Sequence, residues 1–369
     1  VGIDAATANA TSLLIVACPC ALALATPLAI AVSLGRAAKR RILIRDGAVF
    51  QQLASSGTVW FDKTGTLTEG RPQAQLIVGS QDALRMAALV EREFCHPISD
   101  AITGACVALG LRLDDEADEV ELKPGGVTGI VRGHQVDVGN ASMMQANAVE
   151  LDETFEHSIQ SCLDRGATPI IVAVDSVARA VLSISDRLKP DAPEMVSRVH
   201  LAGWNVGILS GDHGEIVADI GEQLGIPADR TFGDLSPEDK LSRVTIDRDS
   251  SASETVVMIG DGANDAAALA AADVGIAVRG GAEVSLQAAP VFIASGSLSS
   301  IAELIGASKR TNDLIRATFA VSLTYNAIAV ALAFFGWISP LAAALLMPVS
   351  SVSVLSLTLA WPTFRDSKS

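Results

Sequence analysis

The chain has 369 residues, with 42 acidic and 27 basic side chains and a formal net charge of −15. This balance argues against a nucleic-acid partner, because proteins bind the phosphate backbone through clustered lysines and arginines. Hydrophobic residues make up 49% of the chain and concentrate near the N-terminus and between Ala317 and Trp361. That distribution predicts membrane helices at both ends and a soluble α/β unit between them.

The first apolar run, from Ala10 to Leu34, is long enough to cross a bilayer, which takes about 20 apolar residues. It contains the sequence CPC, in which Cys18 and Cys20 flank a proline. Proline destabilises a helix interior by about 3 kcal/mol, and ligating groups at membrane depth are functional candidates by default. We therefore expect the helix to be broken here to build an ion site from the two thiols.

Basic residues flank the apolar runs and indicate their orientation. Five follow the first run and three precede the second, namely Arg36, Lys39, Arg40, Arg41, Arg45, Lys309, Arg310 and Arg316. By the positive-inside rule, residues 36–316 lie in the cytoplasm and the N-terminus outside. The second and third spans are expected at about Ala317–Phe335 and Ile338–Trp361. A chain that begins outside without a signal sequence is expected to be a fragment lacking upstream helices.

The segment TVWFDKTGTLTEG predicts a buried strand, Thr58–Phe61, that ends at Asp62 and precedes a glycine-containing turn. Ligands of open α/β sheets bind at the carboxyl ends of strands. A single aspartate there usually caps the next helix, but three further segments supply polar groups in similar places. They are VGILSGD with Ser210, Gly211 and Asp212, SPEDK with Lys240, and GDGANDAAAL with Asp261, Asn264 and Asp265.

Phosphoryl transfer needs such a set, because it takes a nucleophile, a hard cation on oxygen ligands and donors for the phosphoryl oxygens. We predict that Asp62 is the nucleophile and forms an aspartyl phosphate. The predicted Mg²⁺ ligands are Asp62, Asp261, Asp265 and the main-chain carbonyl of Thr64. The other catalytic candidates, on the phosphoryl oxygens or the turns around them, are Lys240, Ser210, Gly211, Asp212 and Asn264.

The heptapeptide DKTGTLT, followed at a distance by GDGANDAAAL, resembles the signature of P-type ATPases within the haloacid dehalogenase-like superfamily. The resemblance implies an α/β haloacid dehalogenase-like phosphorylation domain with an inserted α+β nucleotide-binding domain, plus α-helical transmembrane segments. Hydrolytic relatives usually carry a second aspartate two residues after the nucleophile, where this sequence has Thr64. That difference favours a phosphoenzyme that persists long enough to drive conformational change.

We expect five segments along the chain, in which an insertion divides the phosphorylation domain into an N-terminal and a C-terminal portion. They are a transmembrane helix with the CPC site and its cytoplasmic exit (1–45), the N-terminal portion of the phosphorylation domain (46–71), the nucleotide-binding domain (72–186), the C-terminal portion of the phosphorylation domain (187–310), and two transmembrane helices with a cytoplasmic tail (311–369). The segment DRLKP, at 186–190, resembles the return hinge into the phosphorylation domain.

The insertion contains LVEREFCHPISDAI and KPGGVTGIVRGHQVDVGN. A His-Pro pair that follows Glu91 by five residues resembles the nucleotide-binding domain of heavy-metal P-type ATPases. The resemblance implies that Glu91 and His96 contact the adenine end of ATP. It also implies a wall where missing Cβ atoms let ligand and backbone approach, formed by Gly125, Gly126, Gly139 and Asn140. In that family one residue lies between two of the glycines, whereas Gly125 and Gly126 are adjacent in this sequence.

CPC resembles the transport site of the same heavy-metal branch. Thiolates favour copper(I) but also accept zinc and cadmium. The last two runs contain no charged residue, whereas zinc exporters typically add an intramembrane lysine and aspartate. Tyr-Asn followed by a methionine and a serine pair resembles the copper(I) branch, which implies metal contacts at Cys18, Cys20, Tyr325, Asn326, Met347 and Ser351. Pro348 interrupts that pattern and a second methionine is absent, so a zinc or cadmium pump stays open.

The expected function is therefore ATP-driven heavy-metal transport, with copper(I) export by a multi-pass plasma (inner) membrane protein as the first interpretation. ATP and Mg²⁺ are the expected cofactors, and a copper chaperone is a possible donor of the metal. No TGE loop of an actuator domain occurs, so we expect self-phosphorylation without a complete transport cycle. Two other classes stay open, a membrane-tethered haloacid dehalogenase-like phosphatase and a non-catalytic copper-binding membrane protein.

Overall fold

A computed structural model of the chain describes residues 3–17, 20–94, 96–250, 254–261, 265–278 and 289–364, without the side chains of 3–6 and 20–22. The helices are α1 (Ile3–Val16), α2 (Cys20–Lys39), α3 (Val49–Gln52), α4 (Gln81–Glu91), α5 (Pro97–Ala108), α6 (Ala141–Ala146), α7 (Glu153–Leu163), α8 (Ala192–Leu201), α9 (Gly214–Gln223), α10 (Pro237–Ser250), α11 (Ala266–Ala271), α12 (Ser299–Phe334) and α13 (Pro340–Ala360). The strands are β1 (Ile42–Ile44), β2 (Gly57–Asp62), β3 (Gln73–Gly79), β4 (Ala117–Lys123), β5 (Gly126–Val131), β6 (His134–Gly139), β7 (Thr168–Val174), β8 (Val177–Ser185), β9 (Asn205–Leu209), β10 (Thr231–Phe232), β11 (Thr255–Gly260), β12 (Val274–Val278) and β13 (Val291–Ile293).

A seven-stranded sheet with the order β1-β13-β12-β11-β2-β9-β10 forms the first α/β unit. Its described pairs are parallel except for β1 with β13. The strand β2 is buried at every position, as expected for a parallel strand covered on both faces. It lies between β11 and β9. The ends of these three strands therefore meet at one edge of the sheet.

The two faces of this sheet carry separate hydrophobic clusters. Successive side chains of a strand point to opposite faces, so Phe61 packs in the larger cluster, which includes Trp204 and Ile301. Its neighbour Trp60 packs in a smaller one with Leu269. Fully burying an aliphatic or Phe side chain contributes about 1.5–3 kcal/mol. The central strand is thus held from both sides just before it reaches the edge.

The chain between β2 and β9 forms an inserted antiparallel sheet with the order β3-β8-β7-β6-β5-β4. Helices α4 and α5 pack on one face and α6 and α7 on the other. The two connections to the first unit run side by side, because the Glu69 amide donates to the Arg187 carbonyl at 2.9 Å. The Asp186 carboxylate also accepts from the amides of Gly70 and Arg71. This paired connection joins the insertion to the turn that follows β2, and the mixed α/β class is confirmed.

Helices α12 and α13 are long and apolar enough to cross a membrane. The 36-residue α12 is about 54 Å long at 1.5 Å per residue. Its first turns are buried in the core of the seven-stranded sheet, where Ile301, Leu304 and Ile305 pack. The predicted second span is therefore the far half of one continuous helix. At the other end of the chain, α1 stops at Val16 and α2 begins at Cys20, while residues 18 and 19 lie outside the described residues.

Candidate functional site

Three carboxylates meet at the edge of the seven-stranded sheet. Asp62 ends β2, Asp261 follows the neighbouring β11 directly, and Asp265 precedes α11. Each can offer an oxygen atom, and these oxygens lie within 4.8 Å of one another. Hard cations such as Mg²⁺ prefer carboxylate oxygens. The three side chains therefore have the chemistry and the proximity to hold a divalent cation.

Lys240, on the second turn of α10, lies between two of these carboxylates. Its Nζ donates to Asp62 Oδ1 at 2.6 Å and to Asp265 Oδ1 at 2.8 Å, and all three side chains are buried. Burial, aided by repulsion from Asp265, raises the pKa of Asp62 to about 7 against the opposing effect of Lys240. Burial would lower the pKa of Lys240, but the two carboxylates outweigh it and raise that pKa. The cluster keeps an excess of negative charge that a cation can neutralise.

A cavity of about 290 Å³ opens onto this cluster. A water molecule occupies about 30 Å³, so the cavity has room for a phosphoryl group and a cation. It is lined by Asp62, Thr64, Gly211, Asp212, Leu235, Pro237, Lys240, Asp261 and Asp265. The predicted Asn264 lies outside the described residues.

Asp212 lines the cavity shortly after the end of β9 and accepts hydrogen bonds from several side chains. It forms an ion pair with Lys63 and accepts from Thr64 Oγ1 and Ser210 Oγ, each at 3.1 Å. Burial would raise the pKa of Asp212, but Lys63 and these donors outweigh it and lower the pKa. Ser210, predicted on the phosphoryl oxygens, is buried and gives its hydroxyl to Asp212. Sequence reasoning assigned no role to Lys63, although a cation beside the nucleophile was a visible signal.

The turn after Asp62 depends on a glycine. Gly65 has a φ of +71°, and a Cβ there would lie 2.8 Å from Asp261 Oδ2. Its carbonyl accepts from Lys189 Nζ at 3.0 Å. Lys189 belongs to the returning connection DRLKP, so that connection also supports the turn. Sequence reasoning identified the hinge but not this lysine.

A second cavity, of about 500 Å³, lies in the inserted domain. It is lined by Glu91, Phe94, His96, Ile98, Ser99, Leu122, Lys123, Gly125, Gly126, Val127, Val138, Gly139 and Ile170. Most of the predicted nucleotide contacts are therefore brought together. Asn140 is not among the lining residues, and its Oδ1 accepts from the Met143 amide at 2.9 Å and caps α6.

The polar groups of this cavity are held by helix ends. Glu91, the last residue of α4, is buried and accepts from Ser99 Oγ at 2.5 Å. Burial raises the pKa of Glu91, with Ser99 and His96 opposing. His96 caps α5, since its Nδ1 accepts from the Ile98 amide at 3.3 Å. Pro97 follows at the first helical position, where its missing amide hydrogen costs nothing.

The glycines of the wall are required for different reasons. Gly125 has a φ of +89° in the turn before β5, a region that glycine adopts without strain. Gly126 is paired with Gly139 across β5 and β6. A Cβ on Gly126 would lie 2.1 Å from the Val138 carbonyl oxygen. The adjacent glycines thus serve a turn and a close strand contact.

The predicted transport residues lie on the two long helices as far as they are described. Tyr325 and Asn326 are half-buried on α12, and Met347 and Ser351 are half-buried on α13. The Tyr325 hydroxyl donates to the carbonyl of Leu346, directly before Met347. The thiols predicted to complete the site are not described, since Cys18 lies outside the described residues and Cys20 is described by its backbone alone.

Comparison with known proteins places these features in a family context. The family model described as haloacid dehalogenase-like hydrolase matches residues 57–273. A probable copper-exporting P-type ATPase V of Mycobacterium tuberculosis is 35% identical over 365 residues, covering 97% of this chain and 47% of the relative. A copper-exporting P-type ATPase of Staphylococcus epidermidis is 34% identical over 353 residues, 95% of this chain and 44% of the relative.

A solved structure of a zinc-transporting PIB-type ATPase in its E2.Pi state has a TM-score of 0.80 and 30% identity. The match covers 94% of this chain and 57% of that one. The chain spans about half the length of the curated relatives it matches.

Proposed function

The chain belongs to the haloacid dehalogenase-like hydrolases and, within them, to the heavy-metal P-type ATPases, and on that premise we propose that it is the catalytic portion of an ATP-driven copper(I) pump. One observation carries the proposal. Asp62 lies buried at the carboxyl end of the central strand β2, with Lys240 bound to it and two more carboxylates beside it. We propose that the whole protein uses this site to drive metal across a membrane.

The proposed reaction begins at Asp62. One of its oxygens attacks the γ-phosphorus of ATP while the bond to the bridging oxygen breaks, and ADP leaves with the electron pair of that bond. Lys240 already holds Oδ1 at 2.6 Å, so the proposed nucleophilic atom is the other oxygen. The product is an aspartyl phosphate, which water later cleaves to free phosphate. Lys240 stays beside the phosphoryl group and offsets its charge.

The residues around Asp62 fit a magnesium ion. Asp62, Asp261 and Asp265 offer oxygen atoms close together, and we propose the main-chain carbonyl of Thr64 as a further ligand. When bound, Mg²⁺ would neutralise charge on the phosphate oxygens and on the three carboxylates. Asp212, held by Lys63, would fix the turn that carries Thr64.

The position two residues after the nucleophile supports a pump over a phosphatase. Thr64 lines the cavity there, and its hydroxyl donates to Asp212. It offers no carboxylate to activate water, which favours a phosphoenzyme that persists. The 500 Å³ cavity of the inserted domain supports ATP as the phosphoryl donor, with Glu91 and His96 proposed on the adenine edge.

We propose copper(I) as the transported ion on the chemistry of the membrane residues. Soft copper(I) suits the thiols of Cys18 and Cys20 and the thioether of Met347, with Tyr325, Asn326 and Ser351 as the further proposed contacts. The described membrane portion of α12 and all of α13 contain no charged side chain. The solved relative at 30% identity transports zinc, so zinc is the ion to test against. Export across a plasma membrane, with delivery by a copper chaperone, belongs to the same proposal.

The test is phosphoenzyme trapping on the chain in lipid vesicles. γ-Labelled ATP and Mg²⁺ are added with copper(I) under reductant, with zinc(II), or with chelator, and acid stops the reaction. We expect acid-stable label that needs copper(I) and is lost in Asp62→Asn and in the Cys18→Ser/Cys20→Ser double variant. Asp229→Asn, an exposed carboxylate on another turn, is the matched control and should keep the label. Label with zinc alone would overturn the ion, and absence of label on Asp62 under every metal would overturn the reaction.

A further inference from the structure

Two side chains that line the 500 Å³ cavity, Phe94 and Lys123, have no role in the function proposed above. Phe94 lies in the short loop between α4 and α5, where its amide donates to the Glu91 carbonyl at 3.0 Å. Lys123 is the last residue of β4 and directly precedes the glycine turn. One is aromatic and the other cationic, which are the side-chain types that bind a base and a phosphate.

The cavity has an aromatic side and an aliphatic side. Phe94 enters from the helix side and packs against the cluster that α4 and α5 form on the sheet. The sheet side is formed by the backbone of the glycines and by the side chains of Val127 and Val138, which pack in the same cluster as Phe94. A flat ring can therefore lie between the aromatic face of Phe94 and this apolar wall. Bases stack on aromatic side chains whatever their sequence, since every base has a π-face.

The cavity also has a deep end and a mouth. The deep end is polar, with Glu91 at 7% exposure and Ser99 at 2%. The mouth is formed by the end of β4, where Leu122 is 73% exposed and the Lys123 side chain is 46% exposed. A ligand with a flat polar edge and a charged tail therefore fits in one direction, with its tail at the mouth.

Lys123 is the one permanently cationic side chain among the described residues that line this cavity. Its Nζ is paired with Glu121 Oε2 at 2.5 Å, and this partner lies two residues away on the same face of β4. Both side chains are exposed, and exposed ion pairs are weak because water screens them. Lys123 can therefore exchange Glu121 for a phosphate at the mouth with little loss.

We propose that Phe94 stacks on the base of the nucleotide and that Lys123 binds the phosphate nearest the ribose. This inference rests on the proposed function, since it takes ATP as the ligand of the cavity. Glu91 and His96 are proposed only at the adenine edge. The inference adds an aromatic side chain that stacks on the base and a lysine that binds a phosphate. The two contacts can be tested separately, because Phe94 would contact the base, which adenosine, AMP and ADP share, whereas Lys123 would contact a phosphate, which adenosine lacks.

The experiment measures binding of adenosine, AMP and ADP to the whole chain in detergent by isothermal titration calorimetry. Phe94→Leu keeps apolar volume but removes the aromatic face, and Phe94→Trp restores it. Lys123→Met keeps the stem and removes the charge. The matched controls are Phe155→Leu, on the opposite face of the same domain, and Arg112→Met, an exposed cation not among the cavity residues. Each variant is also melted thermally, so that loss of fold is seen separately.

We expect Phe94→Leu to weaken adenosine, AMP and ADP alike, by about 10-fold, and Phe94→Trp to bind like the unchanged chain. Lys123→Met should leave adenosine unchanged and weaken AMP and ADP by about 5-fold, and added salt should shrink that difference. The control variants should bind adenosine, AMP and ADP like the unchanged chain.

Unchanged affinities in Phe94→Leu, with or without a lower melting temperature, would overturn the stacking role. An equal loss for adenosine in Lys123→Met would overturn the phosphate role. If the unchanged chain binds none of the three ligands, the proposed function fails together with this inference.

Discussion

At the scale of single residues, one lysine holds the carboxylate cluster at the edge of the seven-stranded sheet together. Lys240 compensates two buried carboxylates at once, and its Nζ is 2.6 Å and 2.8 Å from their oxygens. Removing one partner of a buried ion pair typically costs about 3–5 kcal/mol, because a charge is left uncompensated in a poorly solvated place. The lysine is therefore structural as well as catalytic in our proposal.

Lys240→Met is expected to lower the melting temperature of the chain and to abolish label on Asp62. Added Mg²⁺ should raise the melting temperature of this variant more than that of the unchanged chain, since a cation at Asp62, Asp261 and Asp265 replaces the missing charge. Thermal melting with and without Mg²⁺ checks this, with Arg112→Met as the control. Equal shifts in the two proteins would count against a cation site at these carboxylates.

Glu91 leads to a prediction about pH. Burial raises its pKa above the ordinary value of 4.5, so the folded state favours the protonated form. Stability that this carboxyl contributes is present below pH 4.5 and is lost as the pH rises through the raised value. Glu91→Gln cannot ionise, so its melting temperature should equal that of the unchanged chain at low pH and exceed it as the pH rises through the raised pKa of Glu91.

Thermal melting between pH 4 and 8 measures the Glu91→Gln difference directly. Glu116→Gln, at an exposed position of the same domain, should show no such trend. If the difference in melting temperature between Glu91→Gln and the unchanged chain were constant with pH, burial of the Glu91 charge would not be its cause. Under the proposed function the same variant should also bind ADP more weakly, so a gain in stability would accompany a loss of function.

At the scale of elements, strands β5 and β6 approach closely because of a glycine pair. A Cβ on Gly126 would lie 2.1 Å from the Val138 carbonyl oxygen, a distance that forces the backbone to move. Gly104, inside α5 of the same domain, has nothing within 4 Å of its Cβ position. Helix glycines cost about 0.5–1 kcal/mol relative to alanine. Identical substitutions should therefore have opposite signs at the two sites.

Gly126→Ala is expected to lower the melting temperature and weaken ADP binding, because the strand shift deforms the cavity wall. Gly104→Ala should raise the melting temperature by a few degrees at most and leave binding unchanged. Melting and calorimetry on both variants make the comparison. A harmless Gly126→Ala would show that β5 and β6 tolerate wider spacing than the structure indicates.

At the scale of the whole molecule, the C-terminal end of the last helix is attached to the unit built on the seven-stranded sheet. Arg36 of α2 donates to the carbonyls of Leu359 and Trp361 and to the Thr363 hydroxyl. Phe364 then packs into the core of the seven-stranded sheet. Helix α2, the end of α13 and the seven-stranded sheet, which are far apart in sequence, are thus joined at one place.

Arg36→Met is expected to loosen this end of α13, since hydrogen bonds to charged groups contribute about 1.5–3 kcal/mol each. Limited proteolysis should cut the chain near residue 361 sooner than in the unchanged protein, followed by mass spectrometry. Arg316→Met removes an exposed arginine of α12 and is the control. Cleavage at the same rate in all three proteins would show that the remaining contacts, Arg310 with the Thr363 carbonyl and Phe364 in the core, hold the segment without Arg36.

The sequence alone determined the strand that ends at Asp62 and the strand that ends just before Asp261, because a buried apolar run followed by a polar turn is a local pattern. It also led to the fold class, now confirmed, and to some of the residues that line each cavity, whose roles stay predictions. Only the tertiary structure decided where the side chains point. Lys240 reaches Asp62 across 178 positions and Lys189 reaches Gly65 across 124. Ser210 donates to Asp212, and Phe94 and Lys123 line the second cavity. The direction of a side chain depends on how the elements pack against one another, and the spacing of residues within one element does not determine it.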